Sequence, residues 1–401
     1  MQKTMLFLAF AAMLFSKASA QTTGFTRGAD VSWCTEMEAD GKSFQNSAGE
    51  QTELMRLLKD FGFTAVRLRV WVNPSTGHVV LDGTDRGAYG PWCDRADVVA
   101  KAKRAKDAGL DVMIDFHYSD FFADPGRQTK PQAWEGLSYA ELKTAVAQHT
   151  GDVLGALKAE GIEPRWVQIG NETRSGMIWP EGALDWSKSG SAVYEGYVGL
   201  TNAGYDAVKA VCPNALVIVH IDKGSDDNAW FFDALRQYGC KFDIIGLSHY
   251  PETATWRNQN ATLATRIRAL GSRFQVPVMV VETGFYQSDE TLAQQVMQDL
   301  FDKATPLTAC AGVFYWEPQL YGWWRPAFYV RAGWNAYGKG AFTSEGKPGK
   351  ALVPFAAGVN AVSDLRDNRR AASEQNYDLS GRPADPRRGG IAVQRGRKVM
   401  R

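Results

Sequence analysis

The chain has 401 residues, 45% hydrophobic and 12% aromatic, enough for one large core of barrel size or for two ordinary domains. Its 45 basic and 44 acidic side chains leave a formal net charge of +1, so no nucleic acid or acidic polymer is implied as partner and a neutral ligand fits better. Thirteen tryptophans and fourteen tyrosines are many for a core, and flat aromatic faces suit the stacking of pyranose rings.

Taken in chain order, residues 1–20 read as a signal peptide: Lys3 precedes an apolar run from Met5 to Phe15, and Ala18-Ser19-Ala20 is a small-residue cleavage site. No later stretch is long and apolar enough to span a bilayer, so a soluble monomer in the periplasm, at the cell surface or outside the cell is expected. From Gly28 onward strand-like and helix-like runs alternate, which argues for an α/β fold with a parallel sheet. Strands are expected over Gly28 to Ser32, Ala65 to Val72, Asp111 to Ser119, Arg165 to Glu172, Ala215 to Ile221, Phe242 to Tyr250, Pro277 to Gly284 and Ala311 to Pro318. Between them, Leu54, Leu57, Leu58 and Phe61 form a helical stripe, Asp94 caps a helix that Gly109 ends, Ser138 and Glu141 form a capping box, and Ser288 or Asp289 caps a helix running toward Lys303. Eight strands, short helix-to-strand returns and long strand-to-helix loops predict a single (β/α)8 TIM barrel over residues 21–358. An open doubly wound sheet is the alternative, but no glycine-rich phosphate loop follows the first strand.

The five cysteines, Cys34, Cys93, Cys212, Cys240 and Cys310, show no zinc spacing. Cys212 and Cys240 each precede a strand, so either they form a disulfide or the thiols are free and buried. Asn171-Glu172-Thr173 and Asn260-Ala261-Thr262 match the N-glycosylation pattern, although a strand end is a poor acceptor.

Chemistry concentrates at the strand ends. The fourth strand ends Gly170-Asn171-Glu172 and the seventh ends Val281-Glu282-Thr283, so two buried runs each deliver a carboxylate to the same barrel face. Paired carboxylates suit glycoside hydrolysis, one serving as acid and base, the other as nucleophile or as activator of water. On the second strand Arg67, Arg69 and Trp71 share one face; a catalytic carboxylate is a natural partner for Arg69, while Arg67 could equally bridge a structural acid such as Asp30. His117 and Tyr118 read as hydrogen-bonding and stacking groups for a sugar rather than as metal ligands, since the five histidines form no cluster at ligand spacing. Asn171 is expected to hold a sugar hydroxyl and Tyr250 to hydrogen-bond the nucleophile, with His220 and His249 at neighbouring strand ends. Trp71, Trp134, Trp179, Trp316 and Trp324 are expected to line the cleft.

Several stretches are similar to the endo-β-1,4-galactanases (arabinogalactan endo-β-1,4-galactosidases, glycoside hydrolase family 53), within the clan of retaining (β/α)8 glycosidases. These are Gly28-Ala-Asp-Val-Ser32, Arg67-Leu-Arg-Val-Trp-Val-Asn-Pro74, Asp115-Phe-His-Tyr-Ser-Asp120 with Ala123-Asp-Pro125, Val167-Gln-Ile-Gly-Asn-Glu172 with Gly176-Met-Ile-Trp-Pro180, and Phe314-Tyr-Trp-Glu-Pro318. The resemblance implies Glu172 as acid/base, Glu282 as nucleophile, and β-1,4-galactan, the side chains of pectin, as polysaccharide substrate. His249 stands where the family usually has a tyrosine. The segment after Glu282 is short, and family members that bind calcium use a longer insertion there, so no cofactor and no such metal site are implied. Another endo-β-1,4-glycanase of the clan (mannanase, xylanase or glucanase) and a non-catalytic carbohydrate-binding barrel are the rival readings. Residues 359–401 form an Arg-rich, apolar-poor tail that resembles C-terminal sorting signals of some exported bacterial proteins and equally suits a disordered basic tail.

Overall fold

A computed structural model describes residues 24–356, 391–394 and 397–400. The leader assigned to residues 1–20 lies outside the described residues, as does the tail from 359 onward except for a short antiparallel pair, Ile391–Gln394 with Arg397–Met400.

Eight parallel strands close on themselves: β1 (Thr26–Asp30), β2 (Ala65–Val70), β3 (Asp111–Phe116), β4 (Trp166–Ile169), β5 (Leu216–Ile221), β6 (Ile244–His249), β7 (Val278–Thr283) and β8 (Cys310–Trp316). Each pairs with its chain neighbours, and β1 pairs with both β2 and β8 to shut the barrel. All eight expected strands are present, and the open-sheet alternative is excluded. Most stop short of their expected ends, because Ser32, Trp71, Glu172 and Pro318 leave the ladder to build the rim. The helices between strands cover the outside, and their signals operate as read. Asp94 accepts from Asp97 N, Ser138 and Glu141 form a reciprocal capping box, and of the two candidates Asp289 caps the helix Glu290–Ala304. Glu53 caps Leu54–Phe61, which had no cap signal in the sequence.

Inside the barrel the lower layer is apolar: Ala65, Met113, Trp166, Ile218, Ile244, Met279, Val281, Ala311 and Phe314 pack together. The layer accommodates the Phe314 ring because β1 has a glycine opposite it; a Cβ on Gly28 would stand 2.1 Å from that ring. Above it lies a layer of buried polar side chains, Asp30, Arg67, Asp115, Gln168, His220 and Ser248, which faces the strand-to-helix loops.

All five cysteines are free and buried, so the Cys212–Cys240 bridge is not formed. Asn260 is fully buried with its amide bonded to Val296 O and Asp299, which removes it as a glycan acceptor. Among the described residues no helix is long and apolar enough to cross a membrane.

Candidate active site

Strand β7 carries Glu282 on an irregularity that decides where its carboxylate points. Leu247 of β6 pairs with Val280, yet the next residue, Ser248, pairs with Glu282, leaving Val281 as an extra residue. Strict alternation would send Glu282 outward, because Val281 already packs in the barrel interior. The bulge resets the alternation, and Glu282 also faces inward. There its Oε1 meets Arg67 Nη2 at 2.9 Å and its Oε2 accepts from the Tyr250 hydroxyl at 3.0 Å. The expected Tyr250 bond is therefore present, but the expected arginine is corrected: Arg67, not Arg69, holds Glu282. Arg67 also bridges Asp30 at 2.7 Å and Asp115 at 2.8 Å and donates to Asn171 Oδ1 at 2.8 Å. Arg69 sits two residues further along β2, near the rim, where it pairs with Glu317 at 2.8 Å. Its guanidinium lies 4.7 to 5.9 Å from the rings of Phe122, Trp33, Trp71 and Trp316, of which Phe122 and Trp316 border the cleft described below.

Glu172 is presented differently. The β4 ladder ends at Ile169, and the chain turns through Gly170 (φ 81°) to Glu172, itself in the left-handed region at φ 48°. A glutamate held there implies local strain retained by its surroundings. His220 supplies part of that hold, since its Nδ1 accepts from Glu172 N at 3.2 Å and from Gln168 Nε2 at 3.0 Å. With Nδ1 an acceptor, and burial keeping the ring neutral, the proton lies on Nε2 and is donated to Ser248 Oγ at 2.8 Å. Ser248 in turn favours the charged form of the Glu172 carboxyl, against the effect of burial.

The two carboxyls differ in environment. Burial raises the Glu172 pKa well above the ordinary range and the charge of Glu282 raises it further, with Ser248 opposing. Burial also raises Glu282, but the Arg67 ion pair and the Tyr250 bond pull against burial and the nearby Asp115 and Asp30, leaving it at about 7. The surroundings thus favour the proton on Glu172 over Glu282 and the charge on Glu282.

Both glutamates border one cleft with a cavity volume of about 270 Å³. Of the five tryptophans expected there, only Trp316 lines it. Trp71 is fully buried among Tyr89, Phe121 and Phe122, Trp134 packs against Tyr118 and His149, and Trp324 is buried against Trp33 with its Nε1 on Asp40. Trp179 is half-buried and donates to Ser175 O, outside the cleft lining. Trp71 lies just past the end of β2 at Val70, so the period-two face it was expected to share with Arg67 and Arg69 no longer directs it, and the other three stand outside the strands in segments with no repeat to fix their direction. The aromatic walls instead come from Phe122, Trp334 and Tyr337, in loops, and from Tyr329, in the short helix Ala327–Ala332, with no register in the sequence to select them.

His117 borders the cleft, its Nδ1 accepting from Ala123 N and its Nε2 on Asp115 at 2.9 Å. Tyr118 does not; it points behind the sheet, its hydroxyl 2.7 Å from Thr150. Asn171 borders the cleft, but its amide is already engaged by Arg67 and by Ala123 O. His220 lies below as described, and His249 turns outward to Asn260 Oδ1 at 2.8 Å, burial lowering its pKa to about 4. Its role is thus to tie the end of β6 to the helix Trp256–Phe274. Among the described residues no group of three or more His, Cys, Asp or Glu side chains is placed to hold a metal ion.

The glycosyl hydrolase family 53 model matches residues 26–355. The chain is 33% identical over 321 residues to a probable arabinogalactan endo-beta-1,4-galactanase A of Aspergillus terreus, covering 73% of this chain and 85% of that protein. It is 29% identical over 334 residues to the endo-beta-1,4-galactanase of Bacillus subtilis, covering 76% and 72%. Among solved structures, a GH53 catalytic domain from Ignisphaera aggregans superposes with a TM-score of 0.70 at 29% identity, covering 82% of this chain and 95% of that one.

Proposed function

The chain belongs to glycosyl hydrolase family 53, and from that membership we infer that it cleaves β-1,4-galactosidic bonds within galactan or arabinogalactan chains, retaining the anomeric configuration. The observation that carries the catalytic assignment is the unequal treatment of two carboxyls in one cleft: Arg67 and Tyr250 stabilise charge on Glu282, while Glu172 is raised further. That asymmetry supports Glu282 as the nucleophile and Glu172 as the acid/base.

In the first step Glu282 attacks the anomeric carbon as Glu172 gives its proton to the departing glycosidic oxygen. Glycosylation of Glu282 removes its negative charge, which lowers the pKa of Glu172 and suits it to take a proton from water in the second step. His220, itself fixed by Ser248, holds the Glu172 backbone in place through both steps, and Trp316 and Tyr337, with ring centroids 4.4 Å apart, form an aromatic corner for the bound sugar. Export as a monomer through cleavage after Ala20 fits a polymeric substrate met outside the cytoplasm; N-terminal sequencing and sizing of the secreted protein test this. The activity test is incubation with galactan, mannan, xylan and β-glucan. New reducing ends and short oligosaccharides are expected from galactan, and preferential cleavage of another polymer would overturn the substrate assignment.

A further inference from the structure

Among the ionisable groups that border the cleft, Lys339 is unusual in its surroundings. Glu282 has Arg67, and Arg127, whose guanidinium lies 5.7 Å from the Trp334 ring, has Asp124 three residues away in the same turn. Lys339 forms no ion pair and no side-chain hydrogen bond to an acid among the described residues. Its ammonium is instead surrounded by rings, 4.7 Å from the centroid of Tyr250, 5.2 Å from Tyr286 and 5.9 Å from Tyr337. The segment that bears it is fixed, because Lys339 O accepts the Tyr315 hydroxyl at 2.9 Å.

Partial burial lowers the Lys339 pKa without an opposing anion. Ring quadrupoles return part of the lost hydration, but they donate no lone pair to the N–H groups. The cation stands one ring from the reacting centre, since Tyr250 carries both the hydroxyl on Glu282 and the face under Lys339. Exposed Tyr286 lies on its solvent side. An anionic oxygen arriving from the cleft would complete the site with a charge-assisted hydrogen bond, which is about twice as strong as one to a neutral hydroxyl.

We propose that Lys339 is a specificity-determining residue that receives a carboxylate on a sugar bound near Glu282, so that the cleft accepts galactan carrying uronic-acid units as well as the neutral chain. This rests on the galactanase reading given above. It separates the local charge of the cleft from the near-zero net charge of the chain, which by itself points to a neutral ligand.

The test compares neutral β-1,4-galactan with the same polymer after partial oxidation of its galactose C6 hydroxyls to carboxylates. Wild type, Lys339→Met and Lys339→Arg are assayed for kcat/KM at low and high ionic strength. Wild type is expected to cleave both polymers, with added salt weakening only the oxidised one. Lys339→Met is expected to lose at least about tenfold more on the oxidised polymer than on the neutral one, a difference of about 1.4 kcal/mol, and Lys339→Arg to recover most of that difference. Equal losses on both polymers, or cleavage of the neutral polymer alone by wild type, would overturn the proposal while leaving the galactanase reading intact. Failure of wild type to cut either polymer would remove both.

Discussion

Replacing Tyr250 with phenylalanine removes one hydroxyl and leaves the ring that packs under Lys339. The lost bond, 3.0 Å to Glu282 Oε2, stabilises the charged carboxylate. Hydrogen bonds to charged groups contribute about 1.5–3 kcal/mol, and at about 1.36 kcal/mol per pH unit this corresponds to roughly one to two units. The sign follows from which form is favoured: without the donor, Glu282 binds its proton more tightly than at about 7. The acid limb of kcat/KM, which requires Glu282 ionised, therefore moves to higher pH. Below that limb the variant should fall by about ten- to a hundredfold, with the deficit narrowing as pH rises until Glu172 loses its own proton. The assay is the pH profile of kcat/KM on an activated aryl β-galactobioside, which reduces dependence on leaving-group protonation. An acid limb that stays in place or moves down would refute the assignment of Glu282 as the group that must be charged.

Two further substitutions test the scaffold. Gly28→Ala places a methyl 2.1 Å from the Phe314 ring, so overpacking should destabilise the barrel by about 1–3 kcal/mol, read as a lower urea midpoint at unchanged slope. Buried Glu36 bonds Tyr89 Oη and Ala327 N, and burial raises its pKa to about 7. Its folded-state value exceeds its unfolded one, so the folded state binds the extra proton and stability falls as pH rises from about 4.5 to 7. Glu36→Gln should flatten that fall by up to one proton's worth; an unchanged pH dependence would show that Glu36 does not titrate in this window.

The barrel was legible because its signals are local and redundant: apolar runs of strand length, Asp94, the Ser138–Glu141 box and the Ser288-Asp289 pair each mark an element without knowledge of the others. The carboxylates were legible for a related reason, as acids at the ends of otherwise buried strands. What holds Glu282 was less so. Arg67 and Arg69 lie two residues apart on one face, and choosing between them requires knowing how high each sits against β7 and β8 and that β7 bulges at Val281. The Asp30 bridge read for Arg67 and its bond to Glu282 both exist, because one guanidinium serves several acids. The aromatic walls were the least legible part. Trp71 and Trp324 resemble Trp316 in sequence context, but the first two turn into the core, and Trp334 and Tyr337 reach the cleft from a loop with no repeat to orient them.

The most direct test of the central claim, that Glu282 attacks the sugar while Glu172 carries the proton, is the stereochemistry of azide capture. Glu172→Ala and Glu282→Ala are each given the activated aryl β-galactobioside with azide, and the products are resolved by proton NMR. Glu172→Ala should release the aryl group in a burst and form the β-galactobiosyl azide, since the glycosyl-enzyme on Glu282 is captured without base help. Glu282→Ala should form no glycosyl-enzyme and yield only the α-azide, by direct displacement. A β-azide from Glu282→Ala, or an α-azide without a burst from Glu172→Ala, would contradict the account.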